Sequence, residues 1–290
     1  MVEGRWVTAS GTLGADTASI ERIAWQPSFA RYDELTIDLS RVTFIRPAGV
    51  VSALALVQKA GTAGLVCTLL LPHDSSVCGY LAEVRFLDAL DAIANVVARD
   101  ETLARIRPSG LTTLVRVQNF GDSGEVEGIA NQIVDVFQTP RFGLSGALLE
   151  TCHTVVVELA NNVIEHAESS GWILAQQYRF PQGAAIEIAV VDMGVGIRAS
   201  LRRNSSVYKG VRDDADALKL AISEGVSRVR DPHRGYGLDH IRGQIDGYPE
   251  RRLVLASGRG RLTMYDDGSV RAWTRRVRLP GVLAYAWVPC

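Results

Sequence analysis

The apolar positions fall into short runs whose spacing switches between strand-like and helix-like along the chain. LTIDL (35–39) and VTFI (42–45) read as strands, and Pro47 then opens a helix with AGVVSALALVQKAG as its body. Proline suits a first helical turn because its missing N–H has no partner there. Gly61 and Gly64 close that segment, and LVCTLLLP (65–72) is a continuous apolar run between Gly and Pro, as in a buried strand. SSVCGYLAEVRFLDAL carries Val77, Leu81 and Val84 at helical spacing. Strand, helix, strand, helix within about a hundred residues predicts a small α/β domain over 1–98. Arg99-Asp100-Glu101 and the Pro108-Ser109-Gly110 turn mark a linker over 99–110, and a second domain is expected over 111–290. It begins with a strand (111–118), a helix through GEVEGIANQIVDVF and a longer helix from about Ser145 to Ala167. Strands follow at 172–179 and 185–191, then a Gly/Asp-rich stretch (192–237), and strands near 252–256, 261–265, 270–277 and 282–288. The pattern predicts an α/β sandwich with helices on one face of a mixed sheet. Two domains also suit 290 residues, at roughly 150 residues per domain.

Composition narrows the class. Hydrophobic residues make up 47% and charged residues 22%, an ordinary globular balance. No run approaches the ~20 apolar residues of a membrane helix, and MVEGRWVTASG has no apolar core to serve as a signal or anchor. A cytoplasmic protein is expected. Cys67, Cys78, Cys152 and Cys290 form no CxxC pair, which argues against zinc and against a disulfide framework. Net charge is −1 but uneven: residues 1–197 hold 13 Lys/Arg against 22 Asp/Glu (−9), and residues 198–280 hold 18 against 10 (+8). The basic residues are scattered among aspartates without an evident aromatic platform, so direct nucleic-acid binding is not expected. Arg outnumbers Lys 28 to 3, as in a GC-rich bacterial genome.

Three segments carry candidate chemistry. In VVVELANNVIEHA (155–167), Glu158 and Asn162 are four apart and share a helix face, which His166 extends by a turn. A carboxylate beside an amide can orient a water and hold a hard cation through oxygen. A solvated polar stripe would explain the pattern equally, except that the apolar neighbours make unpartnered polar groups costly. In AIEIAVVDMGVGI (185–197) an apolar strand runs into Asp192, followed by Gly194 and Gly196. A strand-end carboxylate can accept from a purine amino group, and glycines let backbone lie against a flat base; an ordinary Asp-Gly turn is the plain alternative. In HRGYGLDHIRGQI (233–245), Gly235 and Gly237 precede a helix whose N-terminal amides could face phosphate, though a tight turn would suffice.

Taken in order, ExxxN on a helix, DxGxG at a strand end and GxGL opening a helix resemble the N, G1 and G2 boxes of the gyrase/Hsp90/histidine-kinase/MutL (GHKL) ATPase superfamily. The likeness covers about 110–290 and is closest to bacterial anti-sigma-factor serine kinases and histidine-kinase catalytic domains. It implies ATP and Mg²⁺ as cofactors, with Glu158 as catalytic base or water-orienting carboxylate, Asn162 as Mg²⁺ ligand and Asp192 reading the adenine amino group. Gly194, Gly196, Gly235 and Gly237 would shape the pocket and lid, flanked by Ile197, Tyr236 and Leu238. His166 matches a histidine common in the anti-sigma kinases. The 39-residue interval from Gly196 to Gly235 would be the lid, with a helix through DADALKLAISEG. Ser227, Arg228 and Arg234 lie where related lids place a hydroxyl and cations. LPGVLAYAWVP looks like the family's closing strand, except that Val282 follows Gly281 where a threonine is usual.

The first half, about 5–97, resembles a STAS domain, the fold of anti-sigma-factor antagonists, through LTIDLSRVTFIRPAGVVSALALVQKAG and LVCTLLLP. Antagonists carry Asp-Ser-x-Gly at the helix start, the serine being phosphorylated. The matching residues here are Arg46, Pro47, Ala48 and Gly49, and proline accepts no phosphate; Ser40 and Ser52 are the nearby hydroxyls. The resemblance implies a bacterial regulator that phosphorylates or sequesters a protein partner, such as a STAS-domain antagonist or a sigma-factor-type regulator. An ATP-hydrolysing switch and a non-catalytic ATP-binding module are the alternatives. A two-component sensor is disfavoured, because no histidine lies in a dimerisation hairpin before the second half and His153 falls within the Glu158 helix. The two halves are expected to dock in cis or across a homodimer, against the alternative of independent units on the linker.

Overall fold

The apolar runs of the first hundred residues build a parallel sheet of four strands, β1 (Gly4–Leu13), β2 (Glu34–Ile45), β3 (Val66–Leu70) and β4 (Val96–Ala98), in that spatial order. The structure, a computed structural model, describes residues 3–14, 16–93, 96–98, 115–181, 183–203, 208, 210–223, 252–265 and 267–290. The expected linker at 99–110 and residues 224–251, which include the end of the expected lid (196–235) and the GxGL segment, lie outside those residues. Parallel strands need crossovers, and these carry α1 (Thr17–Glu21), α2 (Pro47–Thr62), α3 (Ser75–Glu83) and α4 (Phe86–Asp91). LTIDL and VTFI are one continuous strand, β2. The single helix expected over 75–90 is two, because Arg85 takes a left-handed φ of 61° between α3 and α4. The break turns Phe86 and Leu90 inward, where both are buried.

The second half forms a five-stranded sheet in the order β5-β6-β7-β9-β8, with β5 (Gln118–Phe120), β6 (Gly171–Phe180), β7 (Gly183–Asp192), β8 (Arg252–Met264) and β9 (Val270–Pro289). Every pairing in it is antiparallel, so the expected mixed sheet is corrected. The strands expected separately at 252–256 and 261–265 are one strand, as are those at 270–277 and 282–288. Irregularities near Gly258 and Gly260 are absorbed as a bulge and do not end the pairing. Of the strand expected at 111–118, only Gln118 lies in β5, and residues 115–117 are not strand. Helices α5 (Ser123–Phe137) and α6 (Gly146–His166) begin at Asp122 and Ser145, whose side chains accept from Glu125 N and Leu148 N. Two short helices follow, α7 (Ile197–Leu201) and α8 (Asp214–Ala221).

Helices cover both faces of this sheet, where the sequence suggested one. Gln177 Nε2 donates to Phe142 O and lies against Cys290 Sγ, on the α5–α6 side. The opposite side belongs to α2, of whose sixteen residues twelve are buried. A helix that is apolar all round must be covered all round, and α2 is covered by the parallel sheet and by β6 and β7. Trp172 Nε1 donates to Gln58 Oε1 at 2.6 Å, and Gln58 Nε2 donates to Ser170 Oγ at 3.2 Å. One apolar core runs through both halves, from Leu35 and Leu54 to Ile188 and Leu283. The halves are therefore docked in cis.

Two charged clasps reinforce that docking. Glu187, in the middle of β7, is fully buried and pairs with Arg46 at 2.7 Å. Its second oxygen accepts from Ala48 N in the first turn of α2 (3.3 Å), where the helix dipole favours an anion. The Arg46 guanidinium lies 4.0 Å from the Trp287 ring centroid and 5.3 Å from that of Tyr178. At the far end of the sheet, fully buried Arg261 donates to Glu21 of α1 at 3.0 Å.

The hydroxyls near Pro47 are largely covered. Ser52 is only 4% exposed and faces a small apolar cavity between the halves, and Ser40 is half-buried. The four cysteines are free thiols, three of them buried. Among the described residues no helix is long and apolar enough to cross a membrane.

Candidate functional site

Side chains alternate along β7, so Asp192 falls on the face opposite Glu187, the face covered by α5 and α6. It is 2% exposed, and its Oδ1 accepts from Gly194 N at 2.8 Å. The backbone N–H of Val282 donates to the same carboxyl. Burial outweighs these donors and pushes its pKa up to about 7.

The loop after Asp192 is sewn to the end of α6. Val195 N donates to Ala167 O at 3.0 Å, satisfying one of the carbonyls that a helix C-terminus leaves over. Gly194 lies so close that a β-carbon there would fall 1.9 Å from Ala167 O. This is a close approach only glycine allows, and it fixes the spacing between Asp192 and the polar face of α6. On that face Asn162 Nδ2 donates to the Glu158 carbonyl at 2.7 Å. The amide is thereby oriented, and Oδ1 makes no hydrogen bond among the described residues, as suits a cation ligand. Glu158 is half-buried one turn earlier, and His166 closes the helix with Nε2 4.0 Å from Glu165 Oε2. Gly196, with φ 78°, caps α7, and Ile197 N donates to Ser257 Oγ at 3.0 Å.

The structure thus ties the loop of Asp192, Gly194, Gly196 and Ile197 to the C-terminal end of the helix that carries Glu158, Asn162 and His166. Ser227, Arg228, Arg234, Gly235, Tyr236, Gly237 and Leu238 lie outside the described residues. Two contributors were not foreseen. Ser257 on β8 is the cross-strand partner of Val282. Its hydroxyl accepts from Ile197 N and donates to Gly281 O at 2.7 Å, tying the glycine loop to β9. Val282 carries no hydroxyl, and that of Ser257 stands beside it on the neighbouring strand. Gly281 is the second: a β-carbon there would come within 2.2 Å of the Asp192 carbonyl. The only hint of Ser257 was a small polar residue ending the apolar run LVLASG.

No group of three or more His, Cys, Asp or Glu among the described residues could hold a metal. One amide oxygen beside a carboxylate fits Mg²⁺ arriving with phosphates, since that ion keeps several waters and takes few protein ligands. The chain matches no protein-family model, and comparison with curated proteins finds no match.

Proposed function

We propose that the second half binds ATP with Mg²⁺ between the end of β7 and the polar face of α6, as a GHKL-type ATPase domain. The observation that carries this reading is Asp192, a buried carboxylate with raised pKa, joined through Gly194 and Val195 to the helix bearing Glu158 and Asn162. In this reading Asp192 accepts from the adenine amino group, and Gly194, Gly196 and Gly281 let the surrounding backbone pack closely about that carboxylate. Asn162 Oδ1 and Glu158 line the phosphate end. The nucleotide supplies a transferable phosphoryl group, and Glu158 takes the proton of the attacking hydroxyl or water.

The first half is then a STAS-like unit docked in cis as a regulatory surface. Pro47 stands at the usual acceptor position and α2 is buried, so the phosphoryl acceptor is a separate protein or water. The role that follows is a bacterial regulator of serine-kinase or anti-sigma type acting on a protein partner. A conformational ATPase is the other outcome, and incubation with γ-labelled ATP with and without STAS-domain proteins separates them.

Calorimetry tests the binding site. Asp192→Asn replaces an acceptor-only group with a mixed donor and acceptor, and the lost charge-assisted hydrogen bond is worth about 1.5–3 kcal/mol. ATP affinity should fall about tenfold to a hundredfold or more, with Mg²⁺ dependence retained. Unchanged affinity removes Asp192 from the site.

A further inference from the structure

The spatial order β1-β2-β3-β4 follows the chain order, so every crossover steps the same way along the parallel sheet. Right-handed crossovers that all step in one direction put their helices on one face. That face is the core side, where Leu35, Ile37, Cys67 and Leu69 are buried against α2. No helix among the described residues covers the other face, although parallel sheets are as a rule covered on both. The register shows what stands there. Glu34, Thr36, Asp38 and, after a bulge in β2, Arg41 mark four successive rows of this face. Trp6 of β1 stands in the row of Thr36, and Val66 of β3 in the row of Glu34. Every residue of these rows on β1, β2 and β3 is at least partly exposed.

Trp6 is 57% exposed and Val66 42%, two of the four large hydrophobic side chains that reach solvent among the described residues. The charges beside them are few, and their placing is informative. Glu34 holds the first row and Arg41 the fourth, and neither forms an ion pair among the described residues. Asp38, between them, is already engaged: it accepts from Ser40 N at 2.9 Å and from the Trp6 indole. The face is thus acidic at one end and basic at the other, with an exposed indole between. A surface of that kind is complementary to its own copy turned end for end.

We propose that this open face is a homodimer interface, with two copies stacked sheet on sheet about a two-fold axis that crosses the strands between Thr36 and Asp38. That axis sets the first row against the fourth, so Glu34 meets the partner's Arg41 twice over, and Trp6 lies over the partner's Thr8. An axis running along the strands would set Glu34 on Glu34 and Arg41 on Arg41, and like charges oppose it. Three strands and four rows span about 15 Å by 27 Å. This is the small end of specific interfaces, which makes the dimer reversible and of roughly micromolar strength. The face points away from α2 and the second half, so the proposal stands whether or not Asp192 takes ATP.

Sedimentation velocity of the full chain from ~1 to ~100 μM should show a monomer passing to a dimer. Trp6→Glu should weaken that dimer about tenfold or more, as loss of an interface tryptophan does. Arg41→Glu should weaken it similarly. Adding Glu34→Arg to that variant restores both opposite-charge pairs with their signs exchanged, and should recover the dimer. All three positions are exposed, and an unchanged thermal midpoint at the lowest concentration verifies folding. A chain that stays monomeric throughout overturns the proposal and leaves the face to a different protein or to another segment of the chain. A dimer indifferent to Trp6→Glu and Arg41→Glu overturns it by placing the interface elsewhere. A charge-exchanged double variant as weak as Arg41→Glu alone overturns the end-for-end arrangement and the proposal with it.

Discussion

Glu158→Ala should leave ATP binding in place and remove most turnover, by about 10²–10⁴-fold, the usual contribution of a positioned general base. The separation of effects follows from position. Glu158 sits one helical turn from Asn162, whereas Asp192 lies at the strand end, held to Gly194 N and Val282 N. Losing the Glu158 carboxylate removes a proton acceptor for the attacking oxygen and leaves the groups around the base untouched. The measurement is ATP consumption and partner phosphorylation beside calorimetric affinity. A parallel loss of affinity and turnover would place Glu158 in binding instead. A wild-type protein with neither hydrolysis nor phosphorylation would make the site a non-catalytic nucleotide sensor.

Arg46→Ala should destabilise the whole chain by about 3–5 kcal/mol near pH 8, the cost of leaving a buried charge without its partner. Glu187 is completely buried, and Arg46 supplies both its ion pair and a guanidinium stacked on Trp287. Burial pushes the Glu187 pKa from 4.5 up to about 7 despite Arg46 and Ala48 N. A carboxyl that holds its proton more tightly when folded favours the native state below about 4.5, and that advantage is lost as pH rises through about 7. The penalty for removing Arg46 should therefore shrink at pH 5, where Glu187 is protonated and needs no cation. Denaturant unfolding at the two pH values measures it. An equal, small loss at both would mean that the clasp contributes nothing to docking.

What was legible in the sequence was local. Ser145 before a long apolar-periodic run marks α6 to within a residue. The abrupt end of an apolar strand in Asp192-Met193-Gly194 marks a carboxylate that burial perturbs. Pro47 marks the start of α2. Pairing across distance was not legible. Glu187 sits in an apolar strand as an odd polar residue, and its partner Arg46 is 141 positions away. Nothing local says that β7 is covered on both faces, because the second cover is a helix from the other half. Ser257 has the same character: its value lies in standing opposite Val282, which only the β8–β9 register determines. Arg261 looks like any exposed strand arginine until α1 is placed over it.

The central claim is that Asp192 receives a donor from the bound nucleotide, and proton linkage tests it most directly. With its pKa pushed up to about 7, free Asp192 is partly protonated near neutrality, and a donor from the adenine amino group would hold it ionised. Binding should therefore release a proton, and ATP affinity should rise about tenfold from pH 6 to pH 8 before levelling off. Calorimetry near pH 6.5 in two buffers of different ionisation enthalpy measures that release. The account predicts proton release in the wild-type chain and its loss in Asp192→Asn. ATP binding with the same proton release in both proteins would contradict it.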